Sequence, residues 1–136
     1  MRVENDKNYY NFEMNPIGTY LAMYGESRED RKWNENLENY RIITTKKDPF
    51  DTIGEKGKTN LIEWELTAII PFKSFYRGDM ELIRSGKLQV LANFYKCGDE
   101  LPVQFFGTHF LTQPNKSNGP DFHQPQFFQP LKLNFN

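Results

Sequence analysis

Alternation of side chains with a period of two, broken by proline and glycine, most constrains the fold of this chain. In the first clear run, Tyr10, Phe12 and Met14 fall on one face of an extended segment, and mostly polar residues fall on the other. Pro16 and Gly18 end the run. The pattern predicts a half-buried β-strand that ends at a corner.

Similar short runs recur along the chain, and each ends at proline, glycine or a charged turn. A helical turn at 72–75 and a short helix at 80–84 interrupt them. Short strands separated by turns argue for an antiparallel, jelly-roll-like β-sandwich rather than βαβ units, so the predicted class is all-β. The predicted strands are 9–15, 19–24, 40–45, 61–70, 87–95, 103–111 and 131–135.

Two longer segments are predicted as loops. Residues 26–39 are almost wholly charged or polar, which indicates a loop with at most one or two helical turns. Residues 112–130 are rich in proline, asparagine and glutamine, yet they contain Phe122, Phe127 and Phe128. We therefore predict an ordered loop that packs onto the core through those rings.

The length of 136 residues fits a single domain, 1–136, which can remove roughly two-thirds of its unfolded surface from water. Hydrophobic residues make up 38% of the chain, but 12 Phe and 7 Tyr are present. Large rings must supply much of the core, which favours pleated sheets. Trp64 is predicted to be in the core because its neighbours at even spacing are Leu66 and Ala68.

Charge and cysteine content argue against several classes of partner. Seventeen basic and 18 acidic residues form no long block of one sign, so nucleic acid is not an expected partner. No apolar run approaches the ~20 residues of a membrane span, and no signal-peptide hydrophobic region is present. Cys97 cannot form an intrachain disulfide and is predicted to be buried at a strand end. The compartment is unknown, and a truncated N-terminus would allow a periplasmic or extracellular one.

Polar strand faces suggest a site for a hydroxyl-rich ligand. Sugar binding needs flat aromatic surfaces together with planar amide or carboxylate groups, and this chain has both. If the faces point the same way, they form one binding surface; the alternative is that Asn and Tyr simply decorate exposed sheets. The residues on these faces are Tyr9, Asn11, Glu13, Asn15, Asn93 and Tyr95.

Two other kinds of site, a catalytic carboxylate pair and a metal site, are compared with sugar binding. Glu13 and Glu65 are the candidates for a glycosidase pair, which requires carboxylates ~5 to ~9.5 Å apart. His109, Asp121 and His123 could share a metal ion, although their spacing matches no compact zinc pattern; the alternative is that they hydrogen-bond loop backbone.

Four ordered runs resemble the family 9-like carbohydrate-binding modules, in the branch common among gut Bacteroides-type bacteria. They are 9–19 (YYNFEMNPIGT), 64–72 (WELTAIIPF), 93–98 (NFYKCG) and 120–128 (PDFHQPQFF). The resemblance implies a β-sandwich that binds a mono-, oligo- or polysaccharide without cleaving it, often within a polysaccharide-degrading system. It also implies an aromatic clamp on a terminal sugar, and calcium as an ion that braces loops.

The chain departs from that family in two respects. Members usually place several strands before the segment that corresponds to 9–13, so we expect an N-terminally incomplete sandwich or a homodimer that covers exposed strand edges. No exposed tryptophan pair is expected either, since Trp33 lies in a polar segment and Trp64 is predicted to be buried. The substitute platforms are Tyr9, Tyr95, Phe122 and Phe127.

The sequence thus predicts a non-catalytic sugar-binding module, with no certain cofactor and an unknown metal requirement. The alternatives are a glycoside hydrolase or hydrolase-associated domain that uses paired carboxylates, and a structural or interaction β-sandwich without a small ligand. Loop residues His109, Asp121 and His123 are predicted to shape the site. The full set of predicted ligand residues is Tyr9, Asn11, Glu13, Asn15, Asn93, Tyr95, His109, Asp121 and His123.

Overall fold

The computed structural model describes residues 1–46, 63–75, 77–97, 105–107, 114–115 and 119–135. The chain divides into two compact units built from separate stretches of sequence. Unit 1 comprises Met1–Tyr10, Tyr24–Lys32 and Arg77–Asn136; unit 2 comprises Asn11–Met23 and Trp33–Tyr76. A single domain, a truncated N-terminus and a homodimer stay predictions.

Strands account for most of the regular structure that is described. Helical structure in the described residues is limited to α1 (Met80–Arg84) and 3₁₀ turns at Phe72–Ser74 and Pro125–Phe127. The strands are β1 (Arg2–Val3), β2 (Tyr9–Met14), β3 (Tyr20–Gly25), β4 (Lys32–Trp33), β5 (Arg41–Thr44), β6 (Leu66–Ile69), β7 (Val90–Ala92), β8 (Tyr95–Cys97), β9 (Phe105–Gly107), β10 (Pro114–Asn115), β11 (Gly119–Pro120) and β12 (Gln129–Pro130).

The strands form small sheets. Two are three-stranded, with the orders β1-β7-β12 and β2-β3-β4, and the pairs β5-β6, β8-β9 and β10-β11 are two-stranded. Strands β1 and β12 both pair antiparallel with β7. The pairs β5-β6, β8-β9 and β10-β11 are also antiparallel. The predicted all-β class, consistent with an antiparallel β-sandwich, is confirmed.

Unit 1 has an aliphatic core to which helix α1 contributes a buried residue. Asp79 is the N-cap of α1, and its side chain accepts hydrogen bonds from two backbone N–H groups of the first turn. Gly86, with a φ of 73°, follows the helix. The predicted helix at 80–84 is confirmed. Its buried residue Ile83 packs with Val3 and Val90, and partly buried apolar side chains surround this cluster: Met1, Met80, Leu88, Leu131 and Leu133.

A second part of unit 1 is built from tyrosines. Tyr10 is 1% exposed, and its ring centroid lies 4.6 Å from that of Tyr24. The Tyr10 hydroxyl accepts a hydrogen bond of 3.0 Å from the backbone N–H of Arg77. The Tyr24 hydroxyl donates one of 2.5 Å to Asp6. These rings therefore bury both apolar area and satisfied polar groups.

The Tyr24–Asp6 hydrogen bond predicts a stability that depends on alkaline pH. Burial, and then the bond to the Asp6 carboxylate, raise the pKa of Tyr24 above its ordinary value. A group whose folded pKa is raised contributes stability that is complete below the unfolded pKa, ~10 for tyrosine, and is lost as the pH rises above it. We expect Tyr24→Phe to cost about 1.5 kcal/mol at pH 7 and progressively less above pH ~10.

Urea unfolding of the wild type and of Tyr24→Phe at pH 7, 9 and 11 measures this difference. Tyr20→Phe is the matched control, since that tyrosine is 40% exposed. An unfolding free-energy difference between the wild type and Tyr24→Phe that stays constant from neutral to strongly alkaline pH would contradict the coupling.

Unit 2 also relies on rings. Phe12 stacks on Tyr40 with centroids 6.1 Å apart and meets Phe75 edge-on at 5.8 Å, while Tyr20 contacts Tyr40 at 4.2 Å. Burial raises the pKa of Tyr40 to about 12, with a smaller contribution from Tyr20. In the β5-β6 hairpin, burial alternates as predicted: even positions from Leu66 to Ile70 are half-buried and odd ones are exposed.

The predictions for two strands and for the burial of Cys97 are wrong. Residues 131–135 form no strand; the strand lies earlier, at β12, and Leu131 and Leu133 pack on the unit 1 core instead. The strand predicted at 87–95 is broken at Asn93, whose side-chain oxygen accepts the N–H of Phe94 and so competes with the sheet ladder. Cys97 does end a strand, but the two-stranded β8-β9 sheet leaves it exposed.

Candidate functional site

Unit 1 gathers predicted ligand residues from three distant parts of the sequence. We call the set Tyr9, Tyr95, Asp121, Phe122 and His123 the Tyr95 cluster. Tyr9 starts β2, Tyr95 starts β8, and the other three lie in the segment between β11 and the last 3₁₀ turn. Side chains separated by more than a hundred positions thus become neighbours through the fold, as the Tyr9 hydroxyl and the His123 ring do.

Tyr9 holds the 121–128 segment in place. It is only 2% exposed, its hydroxyl lies 2.9 Å from Nδ1 of His123, and its ring meets Phe128 edge-on at 6.0 Å. Alternation had placed Tyr9 on the polar face with Asn11. Because the ring is covered by aromatic side chains of the distant segment, its geometry suits positioning of His123.

Asp121 organises the segment locally. Its Oδ1 accepts the backbone N–H of His123 at 2.9 Å, and its Oδ2 accepts Nε2–H of Gln124 at 3.2 Å. Bonds of this kind form an Asx-type turn, which fixes a short loop without a sheet ladder. These two hydrogen bonds hold the half-buried carboxylate in one orientation.

The aromatic element of the cluster is the pair Tyr95 and Phe122. Their rings are stacked, with centroids 4.6 Å apart and planes inclined by 22°. Gly107 lies opposite Tyr95 in the β8-β9 register, and a Cβ there would come within 3.1 Å of the Tyr95 ring, so glycine leaves room for the ring to lie across the sheet. The loop prediction for 112–130 is confirmed for Phe122 and Phe128, which pack as expected.

The Tyr95 hydroxyl is the polar group of that stacked pair. Burial, and then the negative charge of Asp121, raise the pKa of Tyr95 above its usual value. The oxygen is shielded from solvent, and none of the described residues makes a hydrogen bond to it. A buried hydroxyl without a partner gains a hydrogen bond when a ligand hydroxyl reaches it.

The remaining predicted ligand residues fall in other surroundings. Asn93 is half-buried in unit 1, with its oxygen engaged by the Phe94 N–H at 2.9 Å. In unit 2, Asn11 is half-buried and Glu13 is exposed on β2. Asn15 closes the corner after β2, because its Oδ1 accepts the Thr19 N–H at 2.8 Å. His109 lies outside the described residues.

A comparison with protein families decides what kind of chain this is. The family model for carbohydrate-binding family 9 matches residues 1–133. The chain belongs to carbohydrate-binding family 9. A search of curated proteins and a search of solved structures each returned no match. Carbohydrate binding is therefore the function that the family assigns, and the resemblance seen in the sequence is confirmed.

Sequence reasoning missed the exposed tryptophans of this family 9 module. Trp33 is 66% exposed and Trp64 is 40% exposed, so the prediction that Trp64 belongs to the core is wrong. Trp64 precedes Leu66, the first residue of β6 that pairs with β5, and therefore lies beyond the end of the ladder. Even-numbered spacing relative to Leu66 and Ala68 could not show where the covered part of the strand ends.

Trp64 lines an open hollow of about 620 Å³ in unit 2. We call this the Trp64 hollow, and the described residues around it are Thr45, Lys46, Glu63, Trp64 and Glu65. Glu65 was predicted to pair with Glu13 as a catalytic carboxylate, but Glu13 is not among the residues that line the hollow. The hollow combines an aromatic surface with charged and hydroxyl groups, which is the chemistry expected of a sugar site.

The described residues contain neither a metal-binding cluster of His, Cys, Asp or Glu side chains nor a membrane-spanning helix. Within them, no group of three or more His, Cys, Asp or Glu side chains is arranged to hold a metal ion. The calcium role that the family resemblance implied stays a prediction. The described part also contains no helix long and apolar enough to cross a membrane.

Proposed function

We propose that this family 9 module binds sugars without cleaving them, within a polysaccharide-degrading system, and that the Tyr95 cluster is its ligand site. The observation that supports the site most is the stacked Tyr95–Phe122 pair beside Asp121. Aromatic rings bind the apolar face of a sugar, and the adjacent carboxylate and hydroxyl bind its polar edge.

Asp121 is placed to accept hydrogen bonds from a sugar. Each of its two oxygens accepts one hydrogen bond from the segment that follows and has a further lone pair for a sugar hydroxyl. Asp121 is therefore suited to hold a ligand, and Tyr9 and His123 keep the segment in position.

Calorimetry against a panel of plant and host glycans tests the site through Tyr95. Tyr95→Phe keeps the stacked ring but removes the hydroxyl, and we expect affinity to fall about 3- to 10-fold for the loss of one hydrogen bond. Tyr95→Ala also removes the ring, and we expect a loss of at least about 30-fold. The matched control is Phe94→Ala, because Phe94 is the preceding aromatic and is 51% exposed.

Circular dichroism shows whether each variant is folded. A folded Tyr95→Ala that binds as tightly as the wild type would refute the site, and a folded wild type that binds no glycan at millimolar concentration would refute the function. Assays of reducing-sugar release test the rival hydrolase. Release that disappears in Glu13→Gln would favour an enzyme.

A further inference from the structure

The Trp64 hollow has a surface chemistry that differs from that of the Tyr95 cluster. Among the described residues that line it, Trp64 alone is aromatic, and the others carry a hydroxyl, an ammonium or a carboxylate. Its volume, about 620 Å³, lies within the ~300–1,000 Å³ typical of small-ligand sites. A purely apolar ligand would leave these polar groups desolvated, so the lining favours a ligand with one apolar face and a hydroxylated edge.

The backbone beneath the hollow is held firmly. Beyond the last ladder pair of β5 and β6, the Thr45 N–H donates to the Glu65 carbonyl at 3.2 Å, and the Glu65 N–H donates to the Thr45 hydroxyl at 3.1 Å. The preceding hydroxyl, that of Thr44, donates to the Pro16 carbonyl. Trp64 therefore lies directly before a residue whose backbone is held by two hydrogen bonds. A preorganised binding surface loses less entropy when a ligand binds.

The acidic groups of the hollow remain able to accept hydrogen bonds. Among the described residues, the Glu63 and Glu65 carboxylates form neither an ion pair nor a side-chain hydrogen bond with another side chain. Together with Lys46, they give the described lining a net charge of -1 (one positive and two negative groups). This charge disfavours an anionic ligand such as a uronic acid and is compatible with a neutral sugar.

We propose that the Trp64 hollow is a second carbohydrate site that takes a neutral pyranose, stacked on Trp64 and hydrogen-bonded by Glu63 and Glu65. The inference rests on the proposed sugar-binding function, but not on the Tyr95 cluster. The module then binds two neutral sugars per chain, one in each unit.

The chain contains 2 tryptophans, so one substitution leaves Trp64 as the sole source of indole fluorescence. In Trp33→Phe, all indole fluorescence comes from Trp64. We expect a blue shift on titration with a neutral oligosaccharide from the panel, and the same shift in Trp33→Phe with Tyr95→Ala. A shift that requires Tyr95 would place the sugar elsewhere and overturn the inference, as would a Trp64 emission that does not respond at saturation.

Calorimetric stoichiometry gives the second readout. We expect two sugars per wild-type chain and one in Trp64→Ala, with the remaining site unchanged in affinity. Trp33→Ala, which removes the more exposed indole of the same unit, is the control and should retain two. Trp64→Phe keeps a smaller ring in case Trp64→Ala fails to fold, and we expect at least a threefold weaker second site.

The outcomes separate the two hypotheses. One sugar per chain, lost in Tyr95→Ala and unaffected by Trp64→Ala, overturns the second site while the proposed function stands. Equal binding of a polyuronate and of a neutral oligosaccharide at the hollow would overturn the assigned ligand class. Two sites, one sensitive to Tyr95 and the other to Trp64, support both.

Discussion

Replacing Gly25 with alanine is expected to destabilise the protein by about 3 kcal/mol or more. Gly25 ends β3 and is buried. A Cβ at this position would lie 2.7 Å from Cα of Arg31 and 2.9 Å from its nitrogen, and also 2.9 Å from the carbonyl oxygen of Asp30. All three are backbone atoms, so relief requires moving the chain rather than rotating a side chain.

Gly86→Ala provides the matched control. Gly86 has a φ of +73°, and nothing lies within 4 Å of an added Cβ. Its substitution therefore incurs only the left-handed backbone strain, which costs roughly 1 kcal/mol. Urea unfolding midpoints of the two variants measure the difference. A Gly25→Ala variant no less stable than Gly86→Ala would show that the approach of residues 30 and 31 to β3 relaxes easily.

The sequence pattern correctly predicted the strands and the helix that are determined by neighbouring residues. β2, β3 and α1 lie where alternation, turn residues and the Gly86 stop placed them. Elements that depend on distant partners could not be predicted. The polar segment 26–39 contains β4 and the buried Asn34, because a hydrogen-bonded pocket of unit 2 surrounds that side chain. Composition alone indicated only a loop there.

The sequence predicted which residues form the candidate site, but it did not predict which of them are buried. The polar pattern and the family resemblance predicted Tyr95, Asp121 and His123 as ligand residues, and the fold brings them into one cluster with Tyr9. No pattern within β2 could show that Tyr9 is covered, since Phe128 and His123 follow it by more than a hundred positions. Exposure of Trp64 likewise depends on where pairing with β5 begins.

Asn34 is the centre of a buried polar network in unit 2. It is 2% exposed, its Nδ2 donates to the Ser74 carbonyl at 2.9 Å, and its Oδ1 accepts the Asn36 N–H at 3.1 Å. A backbone N–H can only donate and a carbonyl can only accept, so the two ends of the carboxamide are assigned by their partners. The Ser74 hydroxyl closes the network by donating to the Asn36 carbonyl at 2.7 Å.

Asn34→Asp is therefore expected to cost on the order of 3–5 kcal/mol at pH 7, with almost no change in volume. One carboxylate oxygen would still accept the Asn36 N–H, but the other would face the Ser74 carbonyl oxygen with no proton between them. A protonated aspartic acid restores the donor, so burial and this repulsion raise the folded pKa of the new group above ~3.9. The native variant then binds its proton more tightly than the unfolded chain, and stability is lost as the pH rises through that folded pKa.

The sign of this pH dependence distinguishes the network from simple packing. The unfolding free-energy difference between wild type and Asn34→Asp should be smallest near pH 4 and should grow toward pH 7. Ser74→Ala is the control, because Ser74 is 0% exposed and loses one uncharged hydrogen bond, worth about 1 kcal/mol at every pH. A difference for Asn34→Asp that is equally small at both pH values would mean that the carboxylate reaches solvent, and that the carboxamide does not hold residues 34–36 against Ser74.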